Sequence, residues 1–160
     1  MPFRLVIAAT LAAFFMIPSS GNAQVLMQRD VSLRMALTIA EAALAECGIN
    51  TSVAVVDRAG RLRVLLQGDG ASPHNPELAR RKAYTARTFQ QTSAEWAKRT
   101  ETTNAGQRLL AEVIPLGGGV PIKVGQETIG AVGLSGAPMG QAQEEACAKA
   151  GIAKVVDQLR

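Results

Sequence analysis

The chain has 160 residues, with 17 Lys and Arg against 13 Asp and Glu, and a formal net charge of +4. Aromatic residues make up 4% of the sequence. Such a modest basic excess with so few aromatic side chains predicts neither the basic stripe nor the base-stacking platform of a nucleic-acid-binding protein. It favours a small acidic molecule as the partner.

The first 23 residues have the pattern of a secretory signal peptide. Arg4 precedes an apolar run at residues 5–17, too short to span a bilayer, and small residues stand at Gly21 and Ala23. We therefore expect cleavage before Gln24 and a periplasmic or secreted protein; the alternative is a buried core helix. Residues 24–160 are long enough to form one domain with its own core. We expect no membrane span in this part of the chain.

Two cysteines, Cys47 and Cys147, lie in segments predicted to be helical. An oxidising compartment permits a disulfide between them, and two buried thiols are the alternative. A bond would close a loop of about 100 residues, worth up to ~4 to 5 kcal/mol in the chain-entropy model.

The first third of the exported part predicts a helix followed by a β-hairpin. Ser32 is a good N-cap for an apolar-periodic helix that ends at Gly48. Residues 51–56 and 62–66 are apolar runs separated by the turn at residues 57–60, which is the spacing of a hairpin.

Two helices are predicted next. Asn75 as N-cap with Pro76 at the first helical position starts a helix that runs to about Phe89. Residues 92–95 form a capping box that starts a short separate helix. Residues 104–111 are expected to add one more turn.

The remaining part predicts strands and a closing helix. Gly130 and Gly133 inside the last strand indicate close backbone approach by a helix, a ligand or another subunit. The order of elements is typical of an α+β fold with a largely antiparallel sheet. The strands are expected at residues 113–116, 120–124 and 128–134, and the helix at 143–159 with Ala146, Ala150, Ile152, Val155 and Val156 towards the core.

The best candidate for a functional site is the segment from Gly68 to Phe89. It contains the chain's only histidine, His74, beside a cationic triplet, Arg80 to Lys82. Prolines flank His74, so its ring should project from the N-terminal end of the helix, where a neutral imidazole can act as a metal ligand. The alternative is a surface histidine with no partner.

A helical wheel separates the charges of this helix from a small apolar face. That face suits a flat partner lying close to the backbone; the alternative is a solvated basic face over a close-packed alanine contact. One cationic stripe has Arg80, Tyr84 and Arg87, a flanking stripe has Arg81, Thr85 and Thr88, and the small face has Ala79, Ala83 and Ala86.

Five ordered motifs resemble the GlcG/HbpS family of haem-binding and haem-degrading-type domains, also found at the C-terminus of PduO proteins. The resemblance covers nearly all of residues 32–156. The motifs are Ser52-Val-Ala-Val-Val-Asp57-Arg-Ala-Gly60, Gly68-Asp-Gly70, Arg81-Lys-Ala-Tyr-Thr-Ala86, Pro115-Leu-Gly-Gly-Gly-Val-Pro121 and Gly130-Ala-Val-Gly-Leu-Ser-Gly136.

The resemblance implies a profilin-like five-stranded antiparallel sheet flanked by helices, and homo-oligomers that are commonly octamers. It also implies binding of haem or a related iron compound in some members. Mapped by motif, the family's axial ligand is either His74 or Thr85 in this chain.

Haem would use the candidate segment as follows. Its propionates call for cations, its macrocycle for a smooth small-residue surface, and its iron for an axial donor. One helix cannot enclose haem, so a subunit interface is expected to form the second wall. The cations are Arg80, Arg81 and Arg87, the surface is Ala79 and Ala83, and the donor is His74 or else Tyr84 or Thr85.

The leading hypothesis is thus an exported haem-binding protein that senses, stores or slowly degrades haem. The alternative is a module that binds a smaller carboxylate or a cobalamin-like ligand through its arginines. No nucleophile, acid and base can be assembled into a catalytic constellation, so the sequence leaves an enzymatic role undecided.

Overall fold

The computed structural model describes residues 24–160, and the predicted signal peptide at residues 1–23 lies outside that range. No helix of the described residues is long and apolar enough to cross a membrane. The elements are α1 (Leu33–Cys47), β1 (Ser52–Val56), β2 (Leu62–Gln67), α2 (Asn75–Phe89), α3 (Ser93–Thr102), β3 (Gly119–Val124), β4 (Glu127–Ser135) and α4 (Gln141–Ala153), with 3₁₀ turns at Ala105–Leu109 and Val156–Gln158.

The strands form an antiparallel sheet in the order β2-β1-β4-β3. Within residues 24–160 the sheet has four strands, so the predicted fifth strand at residues 113–116 is wrong. The backbone of this segment is hydrogen-bonded to side chains of α2. The Ile114 N–H donates to Thr85 Oγ1 at 2.9 Å, and the Val113 carbonyl accepts from Arg81. These groups are therefore not available for a strand ladder.

Helices cover both faces of the sheet. Alternate residues of β1 point to opposite sides, so Val53 and Val55 join the core under α1 and α4, whereas Val56 packs with Ala83 of α2. All five residues of β1 are buried, as expected for a strand with neighbours on both edges and a helical layer on each face. Helix α2 thus lies alone on its face, apart from α3 at its end.

Local capping signals mark the starts of α1 and α3. Ser32 Oγ accepts from the Met35 N–H, and the capping box between Thr92 and Glu95 is complete. The predicted cap of α2 is displaced by one residue. Asn75 is already helical and buried, and its amide contacts the Asn50 carbonyl and the Ser135 hydroxyl instead of capping, so His74 occupies the cap position.

A disulfide between Cys47 and Cys147 joins the end of α1 to α4, which confirms the bonded alternative. The two helices pack so closely that a Cβ at Gly151 would lie 2.5 Å from the Ile39 carbonyl oxygen. The predicted core side of α4 is partly wrong: Ala146 and Val156 are exposed. The buried residues of the helix are Glu144, Cys147, Ala148 and Gly151.

Candidate functional site

The small face of α2 packs on the protein's own sheet. A Cβ at Gly133 of β4 would lie 2.3 Å from the Ala79 carbonyl oxygen and 2.5 Å from the Ala83 nitrogen. Both alanines, together with Ala86, are fully buried. The prediction that this face receives a flat ligand is therefore wrong, and the close-packed alanine contact is the observed alternative.

Lys82 does not belong to an exposed cationic triplet. Its Nζ lies 2.6 Å from Glu144 Oε2, and both side chains are buried. The other oxygen of Glu144 accepts from the Gly136 N–H at 2.9 Å. The pair is a structural contact between α2 and the start of α4, which leaves Arg80 and Arg81 as the outward-facing cations of the triplet.

Thr85 is also turned inward. Its hydroxyl donates to the Arg81 carbonyl at 2.8 Å and accepts from the Ile114 N–H at 2.9 Å, and the residue is fully buried. Both hydrogen-bonding roles of the hydroxyl are thus engaged within the fold. Thr85 would have to leave these contacts to act as the predicted axial ligand or cofactor contact.

Arg80 and Arg81 hold the segment that follows α3. Arg80 forms ion pairs with Glu77, at 2.8 Å, and with Glu112. Its hydrogen bond to Glu77 is the main cause that raises the pKa of Arg80 and lowers the pKa of Glu77. Arg81 donates to the Val113 carbonyl. Two of the three predicted propionate ligands are therefore engaged in contacts with the protein itself.

Tyr84 is half-buried against the turn between β1 and β2. A Cβ at Gly60 would lie 2.8 Å from the Tyr84 ring, so the turn can approach this closely only with glycine at that position. Asp57 holds the turn from inside, since its Oδ1 accepts from the Ala59 and Arg61 N–H groups at 2.9 Å each. The contact fixes the turn beside the last two turns of α2.

Arg87 lines a cleft of about 310 Å³ between the end of α2, that turn and the segment before α1. No carboxylate of residues 24–160 forms an ion pair with Arg87, and its Nε is buried without an acceptor. Burial, followed by the nearby charge of Arg58, lowers the pKa of the Arg87 guanidinium from its usual range. The cleft is lined by Gln28, Asp30, Arg58, Ala59, Arg61 and Arg87.

His74 stands at the opposite end of α2. It is exposed at the cap position and makes no capping hydrogen bond with its side chain. Thirteen residues separate it from Arg87, which is about 20 Å along a helix axis. In the part of the chain that the structure describes, no three His, Cys, Asp or Glu side chains cluster as metal ligands. His74 therefore lies apart from Arg87 and its cleft, so the predicted site residues do not form one cluster.

Sequence reasoning missed the residues that line the cleft together with Arg87. Arg58 and Arg61 come from the β1–β2 turn, and Asp30 comes from the segment before α1. The turn at residues 57–60 belongs to one of the motifs that resemble the family, but nothing in the local sequence indicates that it folds against the end of α2. Asp30 fixes that arrangement because its Oδ1 accepts from the Arg58 N–H at 2.8 Å.

Comparison with known proteins identifies the family. Residues 31–153 match the model of the family described as haem degrading protein HbpS-like. A crystal structure of HbpS is 33% identical with a TM-score of 0.77, over 82% of this chain and 94% of that one. A double mutant of Streptomyces reticuli HbpS is 30% identical with a TM-score of 0.79, over 96% and 99% of the two chains.

A more distant structure, described as a PduOC:heme complex, shares the fold at 24% identity and a TM-score of 0.67, over 76% of this chain and 92% of that one. No curated protein gives a significant match. The family model alone spans most of residues 24–160, and the HbpS structures agree with it in sequence and in fold. This chain belongs to the HbpS-like family.

Proposed function

We propose that this protein is an exported haem-binding protein that senses, stores or slowly degrades haem. The family match over residues 31–153 supports this proposal, as does the haem complex of the structurally similar PduOC. The signal-peptide pattern at residues 1–23 supports export to the periplasm or the exterior. Haem is the cofactor that the donors on α2 fit best.

The observation that carries the proposal is the position of His74. The ring is exposed at the start of α2 and is not engaged in a capping contact. A porphyrin supplies the equatorial ligands of its iron, so one protein donor is enough, whereas a bare metal ion needs a cluster of side chains. His74 would hold the iron, and Tyr84 is the remaining alternative donor on the exposed side of the helix.

The cations of α2 differ in their availability for a propionate. Arg80 is paired with two carboxylates and Arg81 with a carbonyl oxygen. Arg87 has no acidic partner within residues 24–160 and would bind a propionate without losing an ion pair. Because Arg87 lies about 20 Å along α2 from His74, a haem whose iron is held by His74 of one copy would meet Arg87 of a second copy. The alanine face is covered, so we expect a second copy of the chain to supply the apolar wall against the macrocycle.

A hemin titration tests this function. We expect purified protein beginning at Gln24 to give a saturable Soret band at micromolar concentration. His74→Ala should shift the band and weaken binding, while Ser72→Ala, a change in the same exposed loop, should leave both unchanged. Absence of saturable binding by the parent would refute haem binding. An unchanged spectrum in His74→Ala would refute the role of His74 alone.

A further inference from the structure

The cleft at the C-terminal end of α2 is lined mainly by charged side chains. Three arginines and one aspartate contribute to a lining of six residues. Its volume of about 310 Å³ is at the lower end for small-molecule sites, so it suits a small ligand or one arm of a larger ligand.

The carboxylates near the cleft already form hydrogen bonds or ion pairs with other groups of the protein. Asp30 Oδ1 accepts from two backbone N–H groups, those of Val31 at 2.7 Å and Arg58 at 2.8 Å. Asp57 Oδ1 accepts from two more N–H groups in the β1–β2 turn. Glu127 pairs with Arg58 and with Arg29. Asp30 lines the cleft, and Asp57 and Glu127 contact residues that line it. None of these acids forms an ion pair with Arg87.

Arg87 therefore lacks an ion-pair partner among residues 24–160, although the charges of Asp30 and Asp57 act on it from a distance. Its Nε is enclosed without an acceptor, which costs free energy in any protein interior. The guanidinium is a planar fork that two carboxylate oxygens can engage at once through parallel hydrogen bonds. The Arg61 side chain is 81% exposed at the rim, and its Nε lies as far as 4.0 Å from Asp57 Oδ2. This ion pair is long, so Arg61 can turn towards an entering anion.

The geometry points to a carboxylate-binding site in this cleft, with Arg87 as the principal ligand and Arg61 at its rim. The carboxylate can come from two sources, a propionate of haem or a small free dicarboxylate. Only the first source rests on the haem-binding function proposed above. In either case the incoming carboxylate would engage the terminal guanidinium nitrogens of Arg87 and offset the repulsion between Arg87 and Arg58.

Two binding measurements separate the sources. The first compares hemin with hemin dimethyl ester, which lacks the propionate charges, by Soret titration. The second follows the melting temperature of haem-free protein with increasing sodium succinate, with sodium sulfate as the reference anion. The variants are Arg87→Gln, Arg87→Lys, which keeps the charge without the fork, and Arg99→Gln, which changes an exposed arginine on α3.

If propionate is the source, the parent should bind hemin about tenfold or more tightly than the ester. Arg87→Gln should abolish that preference, Arg87→Lys should keep part of it, and Arg99→Gln should retain it. If a free dicarboxylate is the source, succinate should raise the melting temperature of the parent and of Arg99→Gln, but not that of Arg87→Gln.

The inference is overturned if neither the hemin preference nor the succinate shift depends on Arg87. It is also overturned if sulfate raises the melting temperature as much as succinate does. A parent that binds no hemin refutes the proposed function, and the succinate series then decides the carboxylate site independently. The melting curve without ligand shows whether each variant is folded; if Arg87→Gln is not, Arg87→Lys decides, because it must show a weaker preference or a smaller shift than the parent.

Discussion

The Nζ of Lys82 and the Oε2 of Glu144 lie 2.6 Å apart, with the two side chains 3% and 5% exposed. Sixty-two residues separate them in sequence. The pair joins α2 to the first turn of α4, although these helices cover opposite faces of the sheet. Glu144 also accepts from the Gly136 N–H, so the same carboxylate fixes the loop between β4 and α4.

Breaking this pair should destabilise the fold strongly. Lys82→Met leaves a buried carboxylate without its counter-charge, and we expect the free energy of unfolding to fall by about 3 to 5 kcal/mol. Combining Lys82→Met with Glu144→Gln removes both charges and should recover much of that loss. Urea denaturation measures both effects, with exposed Lys98→Met as the control. A single variant as stable as the control would show that the pair is not formed.

Lys82 also illustrates why a sequence can mislead about a site. A run of Arg80, Arg81 and Lys82 has the appearance of one cationic patch, but consecutive helical residues point about 100° apart. The direction of each side chain depends on which face the sheet covers, and the partner of Lys82 is distant in sequence. Local information could not separate the buried lysine from its partly exposed neighbours.

The close approach of α2 to β4 should depend on Gly133. A Cβ there would meet backbone atoms of Ala79 and Ala83 at 2.3 and 2.5 Å, and backbone cannot move aside as a flexible side chain can. We expect Gly133→Ala to lower the free energy of unfolding by about 1 to 3 kcal/mol or more. Gly106→Ala is the matched control because nothing lies within 4 Å of its added carbon. Equal melting temperatures for the two variants would contradict this packing.

Features that depend on neighbouring residues were predictable. Ser32 and Thr92 start helices because their side chains accept from N–H groups three residues on, and Gly48 ends α1. The glycine at 133 even indicated a close approach, but not whether a helix or a ligand makes it. The false strand at residues 113–116 has a suitable apolar composition, but its backbone is hydrogen-bonded to Arg81 and Thr85 of α2, which are distant in sequence.

The disulfide should contribute a large part of the stability. Cys47 and Cys147 close a loop with a sequence separation of 100, for which the chain-entropy model gives about 4 to 5 kcal/mol. The Cys47→Ala/Cys147→Ala variant should unfold at lower urea concentration than the oxidised parent. Reduction with dithiothreitol should bring the parent to nearly the same midpoint and leave the variant unchanged. A midpoint of the parent that does not respond to reductant would contradict a stabilising bond.

Thr85 should contribute to the stability of the fold and be dispensable as a haem ligand. Thr85→Val preserves the volume of the side chain but leaves the Ile114 N–H without its acceptor, which should cost about 1 to 3 kcal/mol in the free energy of unfolding. Thr85→Ser keeps the hydroxyl and should lose less. Because the hydroxyl is buried and engaged by Arg81 and Ile114, neither variant should move the Soret band of the hemin complex. A band that shifts in Thr85→Val and not in Thr85→Ser would instead establish Thr85 as the axial ligand, and its hydrogen bond to Ile114 would have to break when haem binds.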